Sequence, residues 1–180
     1  RGPECGGGLA VGTVTEMSDV QLAQLIGELT VRGLTIATAE SLTGGGLVAR
    51  LVDVPGASRV VRGGACTYAV DTKASVLGVS ESQLAATGPV DEQVARQMAR
   101  GARSLFGADI GLSTTGVAGP GPADGFEAGT VHIACAHPTG EEHRLLHLGG
   151  DRAAVRAGAI GAALALVRDV LDFAATVADD

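Results

Sequence analysis

The spacing of apolar residues along the chain predicts helices and strands in alternation. Between residues 22 and 29 apolar positions recur every three or four residues, the period of a helix with one buried face. Ser18 and Gln21 form a capping-box pattern before this stretch, and Gly33 follows it. These features predict a first helix over residues 19–32.

The remaining pattern predicts five strands and several further helices. Short β-rich runs predict strands at residues 34–39, 60–70, 108–115, 129–136 and 142–148. Helical patterns predict helices at residues 47–54, 91–105 and 151–174, and a short helix after Ser80. The last two strands are separated by a Pro-Thr-Gly turn and form a predicted hairpin. This order predicts an α/β fold, a three-layer α/β/α sandwich with a mixed, mostly parallel sheet.

Length and composition fit one domain with an aliphatic core. The 180 residues suit a single domain, which we place at residues 18–177, preceded by a flexible leader at residues 1–17. Apolar residues make up 46% of the chain but aromatic residues only 2%, so Ala, Val, Leu and Ile must fill the core. The net charge of −7 and the scarcity of aromatic side chains argue against a nucleic-acid partner. No apolar run approaches the roughly 18 residues of a membrane span, so no membrane partner is expected.

The cysteines and histidines indicate neither a disulfide framework nor a metal site. Cys5, Cys66 and Cys135 are odd in number and include no Cys-x-x-Cys pair, which is typical of reduced thiols in a cytoplasmic protein. The four histidines lie between residues 132 and 147 without zinc-ligand spacing. We therefore expect a cytoplasmic protein that holds no metal.

Three turns that follow predicted strands carry the candidate chemistry. In α/β sheets ligands bind beyond the carboxyl ends of the strands, so functional side chains are expected in such turns. The turns cover residues 40–46, 68–73 and 115–120. The first offers hydroxyls and glycines, the second the only tyrosine and the only lysine, and the third a Gly- and Pro-rich loop whose backbone can approach a ligand.

Ser41 and Thr43 lie just before a predicted helix. Free backbone N–H groups at such a position favour an anion or a developing oxyanion. The simpler alternative is that one hydroxyl only caps the helix. Three glycines follow at residues 44–46, and each costs roughly 0.5 to 1 kcal/mol relative to alanine where the backbone is helical. Close approach of a ligand would explain that cost.

Lys73 is the only lysine among thirteen cationic residues. Arginine stays protonated in proteins, whereas a lysine shielded from water can lose its proton and act as a base. Because no histidine lies in the three turns, Lys73 is the candidate base for Ser41, and Tyr68 can relay a proton or orient the substrate. The alternative is a solvated surface lysine.

Arg152 and Arg156 are the candidates for holding an anionic part of a ligand. Both lie at the start of the last predicted helix, and a guanidinium pairs with phosphate or carboxylate through two parallel hydrogen bonds. The alternative is that both belong to a solvated helix face.

Together with several shorter motifs, these turns resemble the C-terminal domain of the competence/damage-inducible CinA family, whose stand-alone members are nicotinamide-nucleotide amidases. The matching motifs run in family order from about residue 20 to residue 172. They are A-E-S-L-T-G-G, D-V-P-G-A-S, T-Y followed by K and L-G-V, G-A-R-S-L-F-G-A-D, T-G-V-A-G-P, G-T-V, and G-D-R with V-R. Each motif alone is weak, but the ordered set is highly specific.

The resemblance implies an α/β/α sandwich that hydrolyses the carboxamide of nicotinamide mononucleotide, giving nicotinate mononucleotide and ammonia without a metal or organic cofactor. It implies Ser41 as nucleophile, Lys73 as base and Tyr68 as an assisting residue, with backbone amides of residues 43–45 stabilising the oxyanion. Arg152 is the implied phosphate contact, and a homo-oligomer is also implied. The implied substrate-binding residues are Glu40, Thr43, Gly44, Gly45, Thr115, Gly116, Ala118, Gly119 and Arg152.

One departure and two alternatives stand beside this interpretation. Many family members carry Y-S-N where this chain has Tyr68, Ala69 and Val70, so an amide side chain is missing. The main alternative is a nucleotide-binding or regulatory domain without turnover. A weaker one is a DNA-associated competence factor, which the acidic charge opposes. The larger N-terminal domain of full-length members has no counterpart among the motifs, so we expect the amidase half alone.

Overall fold

The computed structural model describes residues 16–178, which form a five-stranded sheet between two layers of helices. The strands are β1 (Ile36–Glu40), β2 (Val61–Cys66), β3 (Ile110–Gly116), β4 (Thr130–His137) and β5 (Gly140–His147). The helices are α1 (Asp19–Arg32), α2 (Gly46–Val52), α3 (Val70–Leu77), α4 (Glu81–Thr87), α5 (Glu92–Phe106) and α6 (Arg152–Ala178). A single 3₁₀ turn, Ala57–Arg59, precedes β2.

The sheet has the strand order β2-β1-β3-β4-β5. β1 pairs in parallel with both β2 and β3, whereas the β3–β4 and β4–β5 pairs are antiparallel. Four of the five strands therefore run in one direction and β4 runs against them. This arrangement confirms the predicted α/β/α sandwich with a mixed, mostly parallel sheet.

Aliphatic side chains fill the space on both sides of the sheet. On one face α1, α2 and α6 pack on the larger strand residues, such as Ile36 and Leu112. On the other face α3 and α5 pack on small residues, such as Ala37 and Ala39. Small side chains let a helix lie close to the sheet, which agrees with a core built almost without aromatic residues.

Local sequence signals set the helix boundaries. Ser18 Oγ accepts from the Gln21 amide at 3.3 Å while Gln21 Oε1 accepts from the Ser18 amide at 3.0 Å, so the predicted capping box is confirmed. Gly33 ends α1 with a left-handed φ of 64°. Asp91 caps α5, because its carboxylate accepts from the amides of Gln93 and Val94.

The segment after β2 is the main difference from the predicted elements. The predicted strand covers residues 60–70, but pairing with β1 ends where Cys66 lies opposite Glu40. The chain then turns and α3 begins at Val70. Lys73 is consequently a helical residue. Most of the predicted leader, residues 1–15, lies outside the described residues.

The three candidate turns meet at the carboxyl ends of the parallel strands. β1 lies between β2 and β3, and the Ser41 amide just beyond it donates to the Thr114 carbonyl of β3 at 3.0 Å. The Thr67 amide beyond β2 donates to the Glu40 carbonyl at 2.8 Å. The turn after β1 is therefore adjacent to the other two. None of the described helices is long and apolar enough to span a lipid bilayer.

Candidate active site

Ser41 and Lys73 lie in direct contact at the carboxyl edge of the sheet. Lys73 Nζ is 3.1 Å from Ser41 Oγ, although 32 residues separate them along the chain. The Thr67 carbonyl accepts a second hydrogen bond from Nζ at 2.6 Å. These two contacts hold the amine of an α3 side chain against the hydroxyl that follows β1.

Burial shifts the protonation equilibrium of Lys73 toward the neutral amine. The residue is only 1% exposed, and no carboxylate bonds to its Nζ among the described residues. Loss of hydration lowers the pKa of Lys73 to about 8, while the negative charge of Asp124 acts in the opposite direction. With that pKa, about a tenth of the molecules carry neutral Lys73 at pH 7. Lys73 is therefore not a solvated surface lysine.

An open cleft of about 250 Å³ lies above this pair. It has the scale of a small-molecule site at the end of an α/β sheet. Eight of the predicted site residues line it: Ser41, Tyr68, Lys73, Thr115, Gly116, Ala118, Gly119 and Arg152. The Thr115 hydroxyl donates to the Pro89 carbonyl at 2.7 Å, so its proton is not available to a ligand.

Glu40 does not line the cleft, which corrects the expectation that it contacts substrate. Its buried carboxylate accepts from the amides of Gly45, Leu47 and Val48 at 2.8 to 3.0 Å. The Thr43 hydroxyl adds a bond of 2.7 Å to the same carboxylate. These amides are the unpaired donors at the start of α2, so Glu40 supplies the charge that a helix N-terminus favours.

Thr43, Gly44 and Gly45 likewise belong to the turn rather than to the cleft wall. Gly44 and Gly45 have φ values of 58° and 94°, so a tight turn into α2 explains two of the three glycines without a ligand. The Gly44 amide donates to the Ser41 carbonyl at 3.0 Å, and the Gly45 amide donates to Glu40. Two of the three amides predicted to stabilise an oxyanion, those of Gly44 and Gly45, are therefore occupied.

Two other amides in this turn have no hydrogen-bond acceptor within residues 16–178: those of Leu42 and Thr43. Arg156 fixes the peptide between them, because its guanidinium donates to the carbonyls of Leu42 and Thr43, each at 3.0 Å. In a trans peptide the C=O and the following N–H point in opposite directions. The Thr43 N–H is therefore directed away from Arg156.

The two arginines at the start of α6 have different positions. Arg156 reaches the backbone of the serine turn and does not line the cleft. Arg152 lines the cleft, and its guanidinium donates to the Gly119 carbonyl at 2.6 Å and to the Tyr68 hydroxyl at 2.9 Å. Tyr68 is 63% exposed and bonds to Arg152 rather than to Ser41 or Lys73. Tyr68 thus stands at the rim of the cleft.

Asp124 is the charged cleft residue that the sequence analysis missed. It lies in a tight turn of the loop between β3 and β4 and lines the cleft beside Lys73. The Asp-Gly dipeptide at residues 124–125 is a known signal for such a turn. Asp124 lies outside the three turns that directly follow predicted strands, so the sequence criteria do not select it. Val70, at the position of the departure from the family motif, also lines the cleft.

A second concave region of the described chain lacks this chemistry. A cavity of about 590 Å³ between β5 and α6 has neither a serine nor a lysine among its lining residues.

His132 Nδ1 and His143 Nε2 lie 2.9 Å apart on β4 and β5. No group of three or more potential ligands is arranged for a metal ion in the described part of the chain.

Known proteins with similar sequences and structures point to one family. The family profile described as CinA C-terminal domain matches residues 17–171. A "CinA-like protein" of Frankia casuarinae is 51% identical over 147 residues, which is 82% of this chain and 34% of that protein. A "putative competence-damage inducible protein" of Desulforamulus reducens is 44% identical over 85% of this chain and 38% of its own length. The chain thus spans little more than a third of these relatives.

Solved structures match over nearly their whole length. The competence/damage-inducible protein CihA of Agrobacterium tumefaciens has a TM-score of 0.80 and 34% identity, covering 91% of this chain and 98% of that one. A CinA superfamily protein of Escherichia coli has a TM-score of 0.81 and 31% identity, with coverage of 91% and 99%. Sequence and structure agree, and this chain belongs to the CinA C-terminal domain family.

Proposed function

We propose that this chain is a cofactor-free amidase that hydrolyses the carboxamide of nicotinamide mononucleotide to nicotinate mononucleotide and ammonia. The observation that carries the proposal is the contact of 3.1 Å between Ser41 Oγ and the buried Lys73 Nζ. A serine becomes a nucleophile when an adjacent base removes its proton, and a desolvated lysine is such a base. The family resemblance supplies the substrate.

The first half of the reaction forms an ester on Ser41. Neutral Lys73 accepts the hydroxyl proton as Oγ attacks the amide carbon, and the carbonyl oxygen becomes an oxyanion. The C–N bond then breaks as Lys73 returns the proton to the amide nitrogen, so that ammonia leaves. Lys73 is neutral again at the end of this half, with the acyl group on Oγ.

The second half uses water and the same base. Lys73 takes a proton from a water molecule, the resulting hydroxide attacks the ester carbon, and the proton returns to Ser41 Oγ as the acid departs. The Thr67 carbonyl contributes by holding Nζ in place through its 2.6 Å hydrogen bond. In both halves we assign oxyanion stabilisation to the amides of Leu42 and Thr43, because those of Gly44 and Gly45 are occupied.

The cleft offers complementary contacts for the rest of the substrate. Arg152 stands at the rim with an exposed guanidinium, which fits a phosphate through paired hydrogen bonds. Phosphate binding there would compete with the Tyr68 hydroxyl and the Gly119 carbonyl. The backbone of Gly116 and Ala118 provides a wall without long side chains for the sugar and the ring.

The test is release of ammonia from nicotinamide mononucleotide by the purified chain, followed with an enzyme-coupled assay. Ser41→Ala and Lys73→Arg should each lower kcat by at least about a hundredfold, since nucleophile and base act as a unit. Hydroxylamine should trap the acyl group of the wild-type ester as a hydroxamate. Arg168→Ala is the matched control, because Arg168 lies on α6 away from the cleft.

Two outcomes would contradict the proposal. Unchanged rates in the Ser41 and Lys73 variants would show that the pair takes no part in the reaction. Tight binding of the mononucleotide with no ammonia from the wild-type chain would instead identify a nucleotide-binding domain without turnover. Calorimetry on the same preparation separates that result from a protein that binds nothing.

A further inference from the structure

Asp124 is held over the cleft by a two-residue turn. Ala123 and Phe126 exchange two backbone hydrogen bonds, of 3.0 and 2.9 Å, across the turn. Asp124 and Gly125 between them have φ values of 52° and 83°, the pattern of a turn with two left-handed central residues. Aspartate and asparagine tolerate this conformation better than most residues. The hydrogen-bonded turn therefore fixes the backbone position from which the Asp124 side chain extends.

The Asp124 carboxylate is available to a ligand. It forms no hydrogen bond or ion pair with any other residue in the range 16–178, although Arg152 and Lys73 line the same cleft. Its negative charge opposes the effect of burial on the pKa of Lys73, so its field extends to the floor of the cleft. Asp124 is itself exposed, and an unpaired carboxylate at the mouth of an open cleft favours a cation there.

We propose that Asp124 makes this cleft discriminate by ring charge, binding amides on a positively charged aromatic ring in preference to the same amides on a neutral ring. The inference rests on the proposed amidase function and adds the residue that recognises the positive charge of the ring. An N-ribosylated pyridinium carries a formal positive charge in the ring that bears the carboxamide. When the amide carbon lies at Ser41, that ring must occupy the cleft that Asp124 lines.

Arg152 and Asp124 together give the cleft two charges of opposite sign. Such a site matches a zwitterion with a cationic ring and an anionic phosphate. A neutral aromatic amide, or the free base without ribose, would leave Asp124 without a partner. Binding energy for the ring then comes from electrostatic complementarity as well as from shape.

The experiment compares two ligands that differ in ring charge. Nicotinamide mononucleotide and the 5′-monophosphate of benzamide riboside share the carboxamide, ribose and phosphate, but a neutral ring carbon replaces the charged nitrogen in the second. Calorimetry in the Ser41→Ala background gives both Kd values without hydrolysis. The ratio of the two Kd values measures discrimination by ring charge and does not depend on the phosphate.

Asp124→Asn is the test variant, because asparagine keeps the left-handed turn and removes only the charge. We expect this variant to lower the preference for the cationic ligand by about 3- to 10-fold, the scale of one partly exposed charge pair. Added salt should shrink the preference of the wild-type chain more than that of the variant. Glu127→Gln is the matched control, since Glu127 is exposed in the same loop and does not line the cleft.

Equal weakening of both ligands in Asp124→Asn would overturn the inference, because it would mean that the carboxylate contacts the ribose hydroxyls instead of the ring charge. An unchanged preference would overturn it as well. The measurement needs no turnover, so failure of the amidase assay leaves it intact. An inactive chain that still prefers the cationic ligand through Asp124 would support this inference and contradict only the proposed function.

Discussion

Gly101 of α5 lies directly against the Leu77 carbonyl at the end of α3. A Cβ at position 101 would overlap that carbonyl oxygen and approach Leu77 Cβ to 2.9 Å, so only glycine permits this approach of the two helices. Lys73 lies one helical turn before Leu77. The contact between Gly101 and Leu77 therefore sets how deeply α3 places the Lys73 amine.

Gly101→Ala should move α3 outward and weaken the site. We expect a loss of about 1 to 3 kcal/mol in the free energy of unfolding, because the overlap is with backbone that cannot rotate away. The rate of ammonia release should fall together with stability, since Nζ moves relative to Ser41. Urea unfolding and the coupled assay measure the two effects.

Gly27→Ala is the matched control, because Gly27 also lies inside a helix but has nothing within 4 Å of the added Cβ. This change should stabilise the chain by about 0.5 to 1 kcal/mol through helix propensity alone. A Gly101→Ala variant as stable and active as wild type would show that α3 is not held by this contact.

The pH dependence of kcat/KM should report the titration of Lys73. Only the neutral amine accepts the serine proton, so kcat/KM should rise with pH and level off above about 8, the pKa to which burial lowers this group. Asp124 raises the pKa of Lys73, so Asp124→Asn should move the rise to lower pH. A profile that is flat between pH 6 and pH 9 would argue against Lys73 as the base.

Burial of Lys73 should also make stability depend on pH. The pKa of Lys73 is about 8 in the fold and near 10.5 in the unfolded chain, so between these values the unfolded chain binds more protons. The free energy of unfolding should therefore rise with pH across this window. Lys73→Met removes the titration, and it should stabilise the chain by about 1 to 3 kcal/mol below pH 8 and by less above pH 10.

Urea unfolding of both proteins at pH 7 and pH 10.5 measures this difference. The gain is smaller than the pKa difference alone implies, because the Thr67 carbonyl loses its donor in the variant. A constant difference between the two proteins at both pH values would mean that Lys73 has the same pKa in the folded and unfolded chain, which would contradict a lysine whose pKa is lowered by burial.

Local sequence signals predicted the elements because each acts within a few residues. The Ser18 and Gln21 capping box and the left-handed Gly33 need no tertiary contact to mark the ends of α1. The turns after the predicted strands indicated that Ser41 and Lys73 lie at one edge of the sheet, since turns at the carboxyl ends of parallel strands converge. Their separation of 3.1 Å is set by the packing of α3 on the sheet, which the sequence pattern does not determine.

The partners of long polar side chains were harder to predict. The family resemblance implies that Glu40 contacts substrate, but its carboxylate is directed toward the amides of α2, on the face of the sheet opposite to α3. The Arg152–Tyr68 bond joins residues 84 positions apart, and no local pattern encodes it. Such pairings depend on side-chain direction after the layers have packed, which periodicity does not determine.

Arg156 should affect turnover more than binding. Its guanidinium holds the carbonyls of Leu42 and Thr43, and the Leu42 carbonyl shares a peptide with the Thr43 amide, one of the two that we assign to the oxyanion. Arg156→Lys loses the paired geometry, and we expect kcat to fall by about 10- to 100-fold with little change in KM, since the interaction strengthens only in the transition state. A rise in KM at unchanged kcat would instead make Arg156 a ground-state substrate contact.

Glu40→Gln should destabilise the fold through the start of α2. The carboxylate accepts from the amides of Gly45, Leu47 and Val48, and a carboxamide would direct an NH₂ group at donors that need an acceptor. We expect the free energy of unfolding to fall by about 1 to 3 kcal/mol at pH 7, as measured by urea denaturation.

Glu81→Gln supplies the comparison for Glu40, because Glu81 lies in the first turn of α4 with an exposed side chain. Removing its charge should change stability by less than about 0.5 kcal/mol, since a solvated charge at a helix start contributes little. A direct role of Glu40 in substrate binding predicts the reverse pattern, with KM raised and unfolding unchanged. Equal stability of Glu40→Gln and wild type would therefore contradict a stabilising role for the Glu40 carboxylate at the start of α2.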